Sequence, residues 1–218
     1  MTLGEIKDYC AAKLGIDDNV TKDQAALFAR KRWAMIWNNQ LWRQTRHVDT
    51  VSVAEGVQEV TLPAEFEFVL AARWGADRLL FASLDLAALS RDPGGWSLPG
   101  DVMGFSPMPR TTDGRARIRL HRAPNKAGTL LVIGKRTCID LLNDTDRPLL
   151  TGVDECLCAF VMGDLYQWLR QFTKANAFFQ EANALLAKMV DIETAQTTES
   201  RQIVPEVQQL ECGDYPWY

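Results

Sequence analysis

The sequence predicts an α+β protein in which helices at both ends of the chain flank a β-rich middle. Apolar residues recur at helical spacing near both ends, whereas the middle alternates apolar and polar residues. A proline-containing acidic stretch follows the last helical pattern. We therefore expect a helical bundle from the N- and C-terminal helices, an antiparallel β-rich insertion and an extended C-terminal tail.

Two capping patterns indicate where the N-terminal helices begin. Thr2 and Glu5 have the spacing of a capping box, and Gly15 should end the helix that follows. Thr21 and Gln24 repeat the pattern before a second, longer helix. The apolar stripe predicted for that helix consists of Phe28, Ala29, Trp33, Ile36, Trp37 and Leu41.

The middle of the chain has the period of strands. The stretch VDTVSVAEGVQEVTLP predicts two strands around residues 54–56, and FEFVLAARWG with RLLFAS predicts a strand and its return. We expect Phe66, Phe68, Leu70 and Ala72 on one face of that strand. Ser83 should cap a short helical piece through Leu89.

A long loop and a hairpin complete the predicted insertion. Residues 91–114 contain four prolines and five glycines, which predicts a loop. The stretches RARIRLHRAP and TLLVIGKRT then predict a second hairpin across residues 125–128.

Helical spacing returns after the β-rich segment. Thr151 with Asp154 should open one helix, and Thr173 should open another. The predicted organisation is N-terminal helices at 1–45, the insertion at 46–137, a C-terminal helix pair at 138–192 and a tail at 193–218.

Composition narrows the class of protein. The net charge is −4, no apolar run approaches 18 residues, and the start of the chain lacks the layout of a signal peptide. Five scattered cysteines indicate reduced thiols in a cytoplasm rather than a disulfide framework. We therefore expect no membrane contact.

Charge is unevenly distributed along the chain. Residues 110–136 contain eight Lys or Arg against one acid, whereas residues 191–214 contain six acids against one base. The basic middle and the acidic tail could attract each other, within one subunit or between subunits.

The sequence offers little for catalysis. His47 and His121 have no partner at metal-ligand spacing, and Cys156 and Cys158 fall on different faces of a helix. No phosphate-loop, dinucleotide or nucleophile-elbow motif is present. We therefore predict no enzymatic activity, no catalytic residue, no cofactor and no resident metal.

An aspartate-rich stretch provides the main alternative. Asp140, Asp144 and Asp146 could hold a divalent ion, which would fit a metal-dependent hydrolase. Because Asp and Asn before a proline also form ordinary turns, we favour a turn.

Two features predict contact surfaces instead. Alternation places Arg115, Arg117 and Arg119 on one sheet face, which is a solvated outer face or a docking surface for carboxylates. A surface that faces DNA is a weaker alternative, because no aromatic residues are interleaved with the arginines. Trp96 and Trp217 lie on irregular segments, where tryptophan commonly anchors an interface. Trp33, Trp37, Trp42 and Trp168 lie on or near helical stripes and are predicted to be core residues.

The layout resembles the head–tail adaptor, or connector, proteins of tailed bacteriophages. Three stretches carry the resemblance: NNQLWRQTRHVDTVSVAEGVQEVTLPAEFEFV, RIRLHRAPNKAGTLLVIGKR, and the acidic turn, proline and helix pair that begin at LLNDTDRP. The likeness spans roughly residues 27–192. It departs from the family pattern at Val60-Thr61, where a tyrosine is common, and after Pro148, where another proline is common.

The resemblance implies a structural protein of the virion neck, assembled in the host cytoplasm. Such adaptors form rings, usually of twelve copies, that dock on the portal, extend the DNA channel and receive the tail or a tail-completion protein. Viral DNA then passes through the channel without specific binding. The alternatives are a tail-completion or tail-tube ring protein, and a soluble scaffold domain that stays monomeric.

The resemblance also suggests a role for the C-terminal tail. We expect residues 203–218 to lie along an adjacent subunit or the portal, against a basic face such as that of Arg115, Arg117 and Arg119. The predicted tail contacts are Pro205, Glu206, Tyr215, Pro216, Trp217 and Tyr218, with Trp96 as a further interface residue.

Overall fold

The computed structural model describes residues 1–75, 78–82 and 99–202, with side chains described outside 78–82 and 197–202. The chain divides into two compact units. The helical unit contains residues 1–36 and 141–218, and the β unit contains residues 37–140. The mixed α+β class, with helices at both ends of the chain, is confirmed. The predicted extended C-terminal tail from residue 203 onward lies outside the described residues.

Four helices are present in the described part of the chain. They are α1 at Leu3–Leu14, α2 at Asn19–Asn39, α3 at Val153–Trp168 and α4 at Phe172–Gln202. Helix α1 begins with the predicted capping box and ends at Gly15, whose φ of 75° is left-handed. Helix α4 continues ten residues past position 192, because its polar end contains no Gly or Pro.

Two of the predicted helix caps are wrong. Asp18 caps α2, since its Oδ1 accepts from the N–H of Thr21 at 2.6 Å, and Thr21 lies inside the helix. Helix α3 begins after Gly152, whose own backbone is in the left-handed conformation, and Thr151 provides no side-chain cap. In both places the helix begins next to a different residue from the predicted threonine. The Thr-x-x-acid or Thr-x-x-Gln spacing alone does not show which of two neighbouring residues will cap the helix.

The packing of the helical unit includes a close approach of α3 to α4 and an ion pair between α2 and α3. A Cβ added at Gly163 of α3 would lie 2.5 Å from the ring of Phe179 of α4, so only glycine allows this approach. Arg32 of α2 donates from Nε and an Nη atom to the two oxygens of Asp164 at 2.7 and 2.6 Å. Its guanidinium also lies over the rings of Phe160 and Phe179.

Nine strands are described in the β unit. They are β1 at Arg46–Val53, β2 at Glu59–Thr61, β3 at Phe66–Trp74, β4 at Arg78–Ala82, β5 at Pro99–Gly100, β6 at Gly104–Met108, β7 at Arg117–His121, β8 at Ala123–Pro124 and β9 at Gly128–Arg136. Seven form one sheet in the order β1-β9-β3-β4-β6-β7-β2, and β5 pairs with β8. Most neighbours are antiparallel, but β4–β6 and β5–β8 are parallel.

The sheet curls around an apolar cluster of described residues. Val53 of β1 and Val60 of β2 belong to this cluster, although β1 and β2 stand at opposite ends of the strand order. The cluster also contains Phe105 of β6 and Leu130 of β9. Because the outermost strands bury residues in the same core, the sheet must bend back on itself.

The predicted second hairpin is wrong. Strand β7 pairs with β6 and β2, whereas β9 pairs with β1 and β3. The sequence predicted the positions of both strands correctly but not the strands with which they pair. Strand pairing depends on long-range packing of apolar faces. The predicted return of β3 through β4 is confirmed, with Ala72 opposite Leu80.

Two other expectations in the β unit need correction. Register shifts interrupt β3 between Phe66 and Phe68 and between Val69 and Ala71, so Phe68 is 42% exposed while Phe66 is buried. The segment predicted as a loop contains β5 and β6. Pro107 fits within β6 because it lies beyond the two residues that pair with β4.

The tryptophan predictions are confirmed at three of four positions. Trp33, Trp37 and Trp42 are buried, but Trp168 is 43% exposed because α3 ends there. The helical piece predicted at 83–89 lies outside the described residues. Within the residues that the structure describes, none of the helices has the length and apolarity needed to cross a bilayer.

Candidate interaction surfaces

The arginine stripe has the predicted alternation. Arg117 and Arg119 lie on β7, and Arg115 precedes that strand. The residues between and after them are buried, namely Ala116, Ile118 and Leu120. All three arginines therefore point away from the apolar cluster of the β unit.

Each arginine of the stripe already has a local acceptor. The pairs are Arg115 with Asp113 at 2.6 Å, Arg117 with Glu59 of β2, and Arg119 with the side-chain oxygen of Gln58 at 3.4 Å. Surface ion pairs of this kind contribute only about 0–1 kcal/mol, so they can exchange for other carboxylates at low cost. A partner carboxylate would therefore have to displace an existing carboxylate at Arg115 and Arg117, and the Gln58 amide oxygen at Arg119.

His121 lies at the end of the same strand but is buried. Its Nε2 is 2.9 Å from Oγ of Ser106 on β6, and the ring is 3% exposed. Burial lowers the pKa of His121, and the nearby Arg119 charge lowers it further. These features make His121 a neutral structural residue of the sheet.

The aspartate-rich stretch forms a turn, as favoured above. Oδ2 of Asp146 accepts from the backbone N–H groups of Leu142 and Asn143 at 2.8 and 2.7 Å, which lowers the pKa of its carboxyl. Asp144 pairs with Lys7 at 2.5 Å. These carboxylates are therefore occupied by the turn and by α1. In the part of the chain that the structure describes, no group of three or more His, Cys, Asp or Glu is arranged around a possible metal position.

A cavity of about 500 Å³ lies between α1, α3 and α4 of the helical unit. Lys13 borders it and donates to the hydroxyl of Tyr9 at 3.2 Å, with the ring of Phe178 5.4 Å from its ammonium. The Met1 amino group lies 2.6 Å from Asp154. The Lys13 ammonium and the Met1 amino group therefore each have a partner within the lining of the cavity.

The buried cysteines of the helical unit are also structural. The hydrogen bond with Cys158 and then burial raise the pKa of Cys10. Burial raises the pKa of Cys156 to about 11. Thiols held protonated in this way are poor nucleophiles, which fits a packing role for Cys10 and Cys156, whereas the same hydrogen bond with Cys10 lowers the pKa of its partner Cys158.

Among the described residues, the turn between α3 and α4 exposes two large aromatic side chains. Trp168 and Phe172 are 43% and 58% exposed, and Arg170 between them adopts a left-handed φ of 60°. The turn is held by backbone hydrogen bonds from Arg170 to Gln167 and from Gln171 to Tyr166. Sequence reasoning missed this surface because helical spacing assigned Trp168 to the core, although its position at the last residue of a helix was a usable signal.

The other predicted contact residues lie outside the described residues. These are Trp96, Pro205, Glu206, Tyr215, Pro216, Trp217 and Tyr218. Their role in an interface stays a prediction, as does that of the arginine stripe.

The described surfaces present ion pairs of the arginine stripe and the exposed aromatic side chains of the α3–α4 turn. The SU10 adaptor protein family matches residues 1–206, so the match covers nearly the whole chain and both units. The chain belongs to this family of bacteriophage head–tail adaptors. A comparison with curated proteins found no match.

Proposed function

We propose that the protein is a head–tail adaptor that forms a ring beneath the portal, extends the DNA channel and joins the capsid to the tail. The observation that carries this proposal is the family match over residues 1–206. The ring, its contact with the portal and tail proteins, and its location in the virion neck belong to the proposal. We further propose assembly in the host cytoplasm and a ring of about twelve copies.

The α3–α4 turn supports a role in assembly. Trp168 and Phe172 expose large aromatic side chains on a backbone that hydrogen bonds hold in one conformation. Interfaces take much of their binding energy from such residues, because burying a rigid aromatic costs little conformational entropy. We propose that this turn contacts a neighbouring subunit, the portal or the tail.

The distribution of charge supports a conduit for DNA. The helical unit has 11 Lys or Arg against 17 Asp or Glu, a net charge of −6, and the β unit has 13 against 11, a net of +2. The whole chain is therefore mildly acidic. A channel of this character would let DNA pass, since affinity for DNA arises when cationic groups neutralise phosphates.

The proposal is tested by mixing the purified protein with the portal protein of the same phage. Light scattering should give the mass of a multi-copy complex, and electron microscopy should show a ring against the portal. A protein that stays monomeric and does not bind the portal at any concentration would contradict the proposal. A ring that contacts only tail proteins would favour the tail-completion alternative.

The role of the α3–α4 turn has its own test. The double variant Trp168→Ala/Phe172→Ala should weaken assembly at least about tenfold, which corresponds to about 1.4 kcal/mol for two aromatic anchors. Val20→Ala is a matched control, because Val20 is 61% exposed on α2. Equal assembly by the double variant and the control would exclude the turn as a contact.

A further inference from the structure

The β unit contains a groove between the two outermost strands of its curled sheet. The groove has a volume of about 310 Å³ and is lined by residues 51–53 of β1, by Ala54 and Val57 of the following turn, and by β2. We call it the β1–β2 groove. Strands β1 and β2 are the first and last in the sheet order, so the groove separates the two edges of one sheet.

Backbone groups of β2 point into this groove. The carbonyl of Gln58 accepts from Leu120, and the N–H of Leu62 donates to Ala116, so the even-numbered residues of β2 bond to β7. In an antiparallel pair, alternate residues direct their N–H and C=O groups to opposite sides. Glu59 and Thr61 therefore direct theirs away from β7, and both line the groove.

Backbone groups of β1 point outward in the same way. The N–H of Thr50 binds the Asp49 carboxylate at 2.7 Å instead of bonding to β9, which identifies the even-numbered residues of β1 as the outward series. Ser52 belongs to that series and lines the groove. Within the described residues, Ser52, Glu59 and Thr61 pair with no strand other than β9 or β7.

We propose that the β1–β2 groove receives an extended segment of a second copy, residues 203–218, by strand addition. A strand placed there would bond to both edges at once, and the valines of the groove would accept its alternate side chains. This inference rests on the proposed function, because it assigns one of the contacts between neighbouring copies in the ring.

The composition of residues 203–218 fits this position. Between its two prolines, the segment offers Val207, Leu210 and Tyr215 as apolar or aromatic side chains. It has three acids and no base, and the one charged residue that lines the groove, Glu59, is already paired with Arg117. Prolines do not donate to a sheet, so the part between Pro205 and Pro216 is the part that can pair.

The length of the segment also fits a contact between copies. Sixteen extended residues span up to about 53 Å, so the segment can extend well beyond the helical unit that carries it. A contact between the tail of one copy and the β unit of the next uses two different surfaces. Repetition of such a heterologous contact closes a ring when the rotation allows it.

The test uses the natural Cys212 of the segment. Ser52→Cys and Glu59→Cys each place one thiol in the groove, on opposite strands. Mild oxidation with copper phenanthroline joins two nearby thiols as a disulfide, with the two electrons passing to the oxidant. In the assembled protein we expect cross-linking between chains in at least one of these variants, seen as dimers and larger species on non-reducing gels.

Two controls define the result. In the first control, combining each groove variant with Cys212→Ser should abolish the cross-link. In the second, Gln44→Cys should give no cross-link, because Gln44 is exposed and precedes the end of β1 that lies away from the groove. A disulfide within one chain would overturn the assignment to a second copy. Rings that form without any cross-link at either groove position would overturn the inference while leaving the adaptor role intact.

A second variant probes the backbone pairing itself. Thr61→Pro removes an N–H that faces the groove and not β7, so the circular dichroism spectrum should not change. Association between copies should weaken about fivefold, the effect of losing one backbone hydrogen bond. An unchanged spectrum with unchanged association would contradict strand addition at β2.

Discussion

Arg32 shows how one side chain connects three helices. Both of its hydrogen bonds reach Asp164 of α3, while its flat guanidinium covers Phe160 of α3 and Phe179 of α4. Only arginine combines a two-pronged donor with a planar face that stacks on aromatic rings. The sequence contains no spacing that would connect position 32 to position 164, so this contact required the tertiary structure.

Replacing Arg32 with lysine should therefore be costly although charge is conserved. We expect Arg32→Lys to lower the free energy of unfolding by about 2 kcal/mol, because one charged hydrogen bond and the ring stacking are lost. Urea unfolding followed by circular dichroism measures this. Lys31→Arg, at an exposed position beside it, should change stability by less than about 0.5 kcal/mol. Similar values for both variants would show that the Asp164 pair contributes little.

We expect His121 to make the stability of the β unit sensitive to mild acid. Its pKa lies below the ordinary value of 6.5 in the folded protein, mainly because the ring is buried. The unfolded chain therefore binds more protons than the folded one as the pH falls through 6.5. The stability associated with His121 is fully present above that pH and decreases below it.

This linkage predicts a specific difference between variants. Between pH 7.5 and 5.5, the thermal midpoint of the wild type should fall further than that of His121→Gln, which can still bond to Ser106. Differential scanning calorimetry across this range compares the two curves, and subtracting them removes contributions from other titrating groups. Parallel curves would mean that His121 is protonated equally easily in both states.

Among the helices, the strongest local signals gave the most accurate boundaries. The capping box at Thr2 and the stop at Gly15 were both found where predicted, because each acts within one turn of backbone. The start of α2 was misplaced because Asp18 competes with Thr21 for the same role. A local pattern shows which residues are able to cap a helix, and the surrounding structure determines which of them does so.

The close approach of α3 and α4 at Gly163 can be tested by substitution. Gly163→Ala should destabilise the helical unit by about 1–3 kcal/mol, because the new methyl group would lie 2.5 Å from the Phe179 ring. The favourable helix propensity of alanine, about 1 kcal/mol, acts in the opposite direction. Chemical unfolding measures the net effect, with Gln167→Ala on the exposed face of α3 as the control. A stabilised Gly163→Ala protein would show that Phe179 moves aside without cost.

Strand positions were more predictable than strand partners. Most strands were recognised from alternation, but β7 and β9 were wrongly joined as a hairpin and β6 was taken for loop. Alternation identifies which face of a strand is buried, yet it contains no information on which neighbour shares that face. The bulges of β3 likewise arise from pairing with β9 and left no signal in the sequence.

At the scale of the whole molecule, charge separates the two units. The helical unit has a net charge of −6 and the β unit of +2, so contacts between unlike units of different copies are electrostatically favourable. Contacts that bring the helical unit of one copy against the β unit of another would benefit from this separation.

Assembly should accordingly depend on salt. The screening length falls from about 10 Å at 0.1 M to about 3 Å at 1 M ionic strength, which weakens attraction between exposed charges. We expect the mass-average size, measured by light scattering, to decrease over this range at constant protein concentration. A size that rises or stays constant with salt would indicate contacts dominated by apolar burial, such as that of the α3–α4 turn.

The sequence by itself determined the α+β class, the capping box and glycine stop of α1, and the buried tryptophans of α2. It also carried the resemblance that the family match confirmed. These properties depend on residues close together in the chain. The tertiary structure decided the order of the strands, the bulges of β3, the exposure of Trp168 and the groove between β1 and β2. Each of these arises from packing between residues far apart in sequence, where many arrangements satisfy the same local pattern and only burial of a shared core selects one.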